Sequence, residues 1–156
     1  MAGDLEDERR ISGRVAGPTH GTDGCPFCHR IALGHDLLAE SQVCVAIYDL
    51  TPLNPGHALV IPRRHEPDFL ALSPVESSAI MRMVKVVRNR INRDFRPHGF
   101  NLGVNVGVAG GQTIDHAHLH LIPRYLGDIP DPKGGIRWLI PERARYWTDE
   151  SQGVRP

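Results

Sequence analysis

The chain has 156 residues, 40% hydrophobic and 23% charged, with 18 Lys+Arg balanced by 18 Asp+Glu. That is enough for one domain with a core, and too balanced for a disordered tail or for nucleic-acid binding driven by net charge. No run approaches the ~20 apolar residues of a membrane span, and the acidic opening MAGDLEDERR lacks a secretory signal's hydrophobic stretch, so the expected compartment is the cytoplasm, with neither membrane nor nucleic acid as partner.

Residues 1–22 are polar and without apolar period, which predicts a flexible N-terminal arm. CPFCHRIALGHDLL (Cys25 to Leu38) predicts a short helix interrupted by Gly34. QVCVAIYDL (Gln42 to Leu50) is β-branched and apolar, hence a strand. TPLNPG (Thr51 to Gly56) is a turn, and HALVIPRR (His57 to Arg64) a second strand antiparallel to the first. Ser73-Pro74-Val75-Glu76 reads as a capping box with proline at the first helical position. Ile80, Val84, Val87 and Ile91 then mark one face of a long helix that ends before Pro97. FNLGVNVG (Phe100 to Gly107) and HAHLHLIPRY (His116 to Tyr125) predict two more strands, the second strictly alternating. The remainder, GDIPDPKGGIRW onward, is rich in proline and glycine and reads as loop. Strand pairs on either side of a helix imply an α+β fold: an antiparallel sheet of about five strands with one long helix and a short N-terminal one.

The chemistry gathers in the last strand. His116, His118 and His120 alternate with Ala117, Leu119 and Leu121, so on a strand the imidazoles share one face. Core packing has no use for three polar rings in a row. Either a solvated face or a site is implied by the pattern alone. Cys25 and Cys28 have the spacing of a metal-binding pair or a redox pair, and no thioredoxin-like βαβ pattern surrounds them. A C2H2 finger is excluded, because no suitably spaced histidine pair follows.

The segment GGQTIDHAHLHLIPR (Gly110 to Arg124), together with DLTPLNPGHALVIPRRH (Asp49 to His65), resembles the histidine triad (HIT) superfamily of nucleotide hydrolases and transferases. Its signature, His-φ-His-φ-His-φ-φ, reads here as HAHLHLI, and the resemblance covers roughly Cys25 to Tyr125. It implies a HIT-like fold over 23–125, with 126–156 as a loop-rich tail packed on the domain. It also implies that His118 attacks the α-phosphorus of a nucleotide derivative and carries the nucleotidyl group until water displaces it. The carbonyl of His116 would hold the Nδ1 proton of that nucleophile, and His120 with His57 would shape the polar surroundings of the phosphate.

By the same resemblance Asn105, Gln112 and Thr113 contact phosphate oxygens or the bridging group, Gly111 admits the anion to backbone N–H groups, and Asp49 receives the ribose hydroxyls. Plainer roles stay open: ring packing for His57 and a turn cap for Asp49. Zinc-bearing members imply a structural Zn2+ held by Cys25, Cys28, His65 and His116. The expected activity is hydrolysis of a dinucleoside polyphosphate, a nucleoside phosphoramidate or an acyl-adenylate, and the expected assembly a homodimer. The alternatives are a transferase or phosphorylase with phosphate as acceptor, and a non-catalytic zinc-stabilised nucleotide-binding module. For the tail, Arg137, Trp138 and Trp147 are candidates to gate the pocket or pack on a partner, or simply to wrap the domain.

Overall fold

The computed structural model describes residues 24–146; the arm over 1–22 and Trp147 lie outside them. In chain order the elements are α1 (Pro26–Leu33), β1 (Leu37–Glu40), β2 (Cys44–Tyr48), β3 (Ala58–Pro62), α2 (Pro74–Phe95), β4 (Gly99–Val104) and β5 (Leu119–Arg124). The five strands form one antiparallel sheet in the order β1-β2-β3-β5-β4. No described helix is long and apolar enough to cross a membrane.

The long helix forms for the reasons its sequence advertises. Ser73 Oγ accepts the Glu76 N–H while Glu76 accepts the Ser73 N–H, closing the capping box. Ile80, Val84, Val87 and Ile91 are buried, joined by Ala79 and Met83. They pack on Ala46, Ala58, Val60, Leu119 and Leu121 of the sheet. Each such aliphatic side chain contributes about 1.5–3 kcal/mol by leaving water. The residues that alternate with these, Val45, Ile47, Leu59 and Ile61, point to the opposite face and pack with Phe27 of α1. Cross-strand register places His120 opposite Leu59, so the histidines belong to this second face, away from the long helix.

Three expectations need correction. Leu37–Glu40 is a short edge strand, not the end of a helix. Gly34 caps α1 in the left-handed region, and Asp36, itself at φ 57°, turns the chain into β1. His116 to His118 precede β5 and are not part of its ladder. The Ala117 N–H goes to the carbonyl of Glu66 and the His116 N–H to that of Ile114, and facing Pro62 has no N–H to offer. The strict alternation therefore holds only from Leu119 to Arg124. The tail is not all loop: 3-10 turns span Gly135–Leu139 and Pro141–Arg143. Ile136 lies over the bare backbone of Gly103 in β4, and Arg137 is stapled to the carbonyls of Arg143 and Ala144. Trp138 donates to the Lys133 carbonyl.

Candidate active site and metal centre

Two clusters of ligating side chains lie on the face opposite α2. In the first, the ligand atoms of Cys25, Cys28, His65 and His116 are within 4.8 Å of one another. Cys25 is the N-cap of α1 and Pro26 starts its first turn, so the helix itself points both sulfurs the same way. Nδ1 of His116 lies 3.5 Å from each sulfur, and Nδ1 of His65 lies 3.3 Å from Cys28 Sγ. A tetrahedral zinc ion, with bonds of ~2.3 Å to sulfur and ~2.0 Å to nitrogen, separates such atoms by about 3.5 Å. The donor set therefore fits the ion.

The ring of His116 is also set for that duty. Its Nε2 lies 2.9 Å from the Pro62 carbonyl, which can only accept, so the proton sits there and Nδ1 is left bare for a ligand bond. Burial lowers the pKa of His116 and keeps the ring neutral. Burial, the hydrogen bond that the Cys28 thiol gives to Cys25, and the charge of Cys25 push the Cys28 thiol up to about 11. The Cys28 thiol so placed resists ionisation until a cation joins it.

The second cluster holds the remaining histidines. Nδ1 of His118 lies 2.8 Å from the carbonyl of His116. That carbonyl holds the proton on Nδ1 and leaves Nε2 with a free lone pair. The Phe27 ring stands edge-on to His118 at 5.1 Å and to His116 at 5.9 Å, so one aromatic residue packs against metal ligand and candidate nucleophile together. The His120 ring is 4.9 Å from that of His118. His57 Nε2 and His120 Nδ1 face each other at 3.1 Å, and His57 Nδ1 accepts the Leu53 N–H at 3.2 Å. Asp49 Oδ2 is 3.5 Å from His57 Nδ1, while Oδ1 caps the N–H and hydroxyl of Thr51. Asp49, His57 and His120 could themselves surround an ion, but the lone pairs of His57 Nδ1 and His120 Nδ1 are already engaged in hydrogen bonds. Burial lowers the pKa of His57, and burial followed by the charge of His118 takes His120 down to about 4.

The glycine-rich loop before the triad is cross-braced. Gly107 takes φ 69° and Gly111 φ 83°, conformations that favour glycine. Gln112 accepts the Gly107 N–H through Oε1 and donates through Nε2 to the carbonyls of Pro67 and Ile114. Its amide is thus spent on holding the loop in this structure. Asn105 is half-buried and Thr113 exposed, both on the same loop. Three consecutive residues tie everything together: His65 reaches the Cys28 sulfur, the Glu66 carbonyl holds Ala117 between two histidines, and the Pro67 carbonyl holds Gln112.

Sequence reasoning missed Phe27, Leu53, Pro62 and Glu66. Phe27 lies within CPFC and carried a signal by adjacency. The other three act through backbone atoms, which leave no mark on residue identity.

Comparison with known proteins agrees with this geometry. The chain is 38% identical over 93 residues to an AP-4-A phosphorylase of Mycobacterium tuberculosis, covering 59% of this chain and 48% of that protein. It is 38% identical over 115 residues to the adenylylsulfatase HINT3 of Arabidopsis thaliana, covering 72% and 57%. The chain thus spans about half the length of these curated relatives. Among solved structures, a Zn-bound histidine triad family protein from Mycobacterium smegmatis superposes with a TM-score of 0.64 at 28% identity, covering 71% of this chain and 86% of that one. Residues 33–127 match the model of the HIT domain, and on that match, with the antiparallel sheet and clustered histidines beneath it, the chain belongs to the HIT domain family.

Proposed function

We propose that the chain is a nucleotidyl hydrolase working through a covalent nucleotidyl-histidine on His118. The observation that carries this reading is the 2.8 Å bond from His118 Nδ1 to the His116 carbonyl, which keeps a proton on Nδ1 and makes Nε2 the nitrogen that attacks. In the first step Nε2 bonds to the α-phosphorus and the bond from phosphorus to the leaving group breaks, its electron pair going with the leaving group. In the second, water oxygen replaces the imidazole on phosphorus. Gly111, Asn105 and Thr113 would meet the phosphate, Gln112 braces their loop, and Asp49 would receive the ribose hydroxyls. Substrates of this class are dinucleoside polyphosphates, nucleoside phosphoramidates and acyl-adenylates.

Cys25, Cys28, His65 and His116 would hold zinc, whose contribution is structural: four protein ligands close the site and leave no position for substrate. The catalytic unit would be 23–125, with the turn at Gly135–Leu139 laid against β4, and the working form a homodimer. The test is intact-mass detection of an AMP adduct on wild-type protein after rapid mixing with an adenylylated substrate. No adduct and no turnover with any of the three classes would remove the proposal.

A second reading is favoured by one observation, the 38% identity to a protein named as a phosphorylase. There, inorganic phosphate replaces water in the second step. Products formed from a dinucleoside tetraphosphate with and without phosphate separate the two: AMP marks hydrolysis and ADP marks phosphorolysis.

A further inference from the structure

We infer that His120 serves the reaction as a fixed hydrogen-bond donor rather than as a proton-giving acid, and that the backbone N–H of Leu53 imposes this role through His57. The inference rests on the hydrolase reading for its chemistry, and on hydrogen-bond bookkeeping for its geometry.

The backbone amide of Leu53 has one proton and always donates. It points at His57 Nδ1 at 3.2 Å, so that nitrogen must be bare. A proton there would set two donors against each other. Asp49 Oδ2, 3.5 Å away, pulls the other way, but from beyond hydrogen-bond length. A neutral His57 therefore carries its proton on Nε2 and gives it to His120 Nδ1 at 3.1 Å. The reverse bond would leave His57 with no proton on either nitrogen. With Nδ1 of His120 accepting, the proton of His120 can only be on Nε2. Burial of both rings keeps them neutral near pH 7.

That Nε2 is the single fully buried side-chain nitrogen or oxygen without a partner among the described residues. Buried donors are almost always satisfied, and this one belongs to a ring stacked edge-on against the candidate nucleophile. A phosphoryl oxygen of the substrate supplies the missing acceptor. Giving the proton away would turn His120 into an imidazolate, since its other nitrogen holds no proton and is occupied by the bond from His57. Donation without transfer is what the site permits. The electron pair of the breaking bond then leaves as an anion, which suits the phosphate of a dinucleoside polyphosphate or the carboxylate of an acyl-adenylate and makes a phosphoramidate, whose amine must leave with a proton, the poorest of the three substrate classes.

The test has two arms. Side-chain 15N spectra of the wild-type protein at pH 7 should show His57 and His120 each protonated at Nε2 and bare at Nδ1. Removing the Leu53 N–H, by an amide-to-ester replacement or by Leu53→Pro, should shift His57 toward a tautomer mixture. In the second arm, His120→Gln, which keeps a donor N–H but is no acid, should stay within about tenfold of wild type. His120→Ala should fall about 100- to 1,000-fold, the usual cost of one transition-state donor. A proton on His57 Nδ1, a doubly protonated ring at pH 7, or equal losses in the two His120 variants would overturn the inference. If wild-type protein turns over no adenylylated substrate, the hydrolase reading and the part given to His120 fall together. The spectra then decide the Leu53 lock by themselves.

Discussion

The carbonyl of His116 accepts from Nδ1 of His118 at 2.8 Å, while the ring of His116 lies 3.5 Å from two cysteine sulfurs. One residue thus faces the metal set with its side chain and the candidate nucleophile with its backbone. Anything that moves the ring moves the carbonyl.

His118→Ala should lower turnover of an adenylylated substrate by at least about a thousandfold, as loss of a covalent nucleophile does. The AMP adduct should vanish from the mass spectrum. Zinc content, measured by elemental analysis, should be unchanged, because His118 is outside the ligand set. His118→Gly with added imidazole should recover part of the rate.

Cys28→Ser should release the metal and lower the melting temperature, since metal binding free energy is folding free energy in such sites. A strong chelator should do the same to the wild type, reversibly on adding Zn2+. Turnover should fall with metal content even though no ligand touches the substrate.

Gly56→Ala should destabilise by about 1 kcal/mol or more. Gly56 sits at φ 86°, and an added Cβ would come within 3.1–3.3 Å of Phe95 and Ile91. The neighbouring His57 should shift with it. A denaturant midpoint measures the first effect and the 15N tautomer pattern of His57 the second.

Stability should fall on acidification in two windows. His120 titrates at about 4 when folded, below its ordinary value of 6.5 because of burial and then His118. Between those values the unfolded chain binds the extra proton, so stability drops as pH falls from about 6.5 to 4. Glu76 is held at about 2 by the Arg64 guanidinium and by Ser73, below its ordinary value of 4.5. Its contribution is complete above 4.5 and lost as pH falls toward 2. Melting temperature against pH should be less steep in the upper window for His120→Gln, where His57 and His116 still contribute, and less steep in the lower one for Glu76→Gln.

The elements legible in the sequence were those whose local chemistry and tertiary place agree. The capping box at Ser73 and the apolar stripe from Ile80 to Ile91 announce α2. Val45 and Ile47, Leu59 and Ile61 announce β2 and β3, because both faces of these strands are buried. Leu37–Glu40 was hidden because four residues are too few to show a period. The start of β5 was misread for a tertiary reason: the N–H of Ala117 prefers a carbonyl 51 positions earlier in the chain, which no local pattern encodes. The four residues of the metal set came through the family resemblance, and the structure brings all four together. The donors that fix ring tautomers could not be read, since a backbone amide is the same at every position but proline.

The triplet His65-Glu66-Pro67 has a consequence for how the site tolerates change. Its members meet three different parts of the machinery within three steps of chain. A deletion of one residue there would slip all three registers in a single event, whereas the same deletion in the exposed stretch near Leu70 would be absorbed by a turn. Length is what that short splint must keep for its three contacts to stay in step, and the Glu66 carboxylate, held by Arg64 and the Asp68 N–H, stiffens it from within.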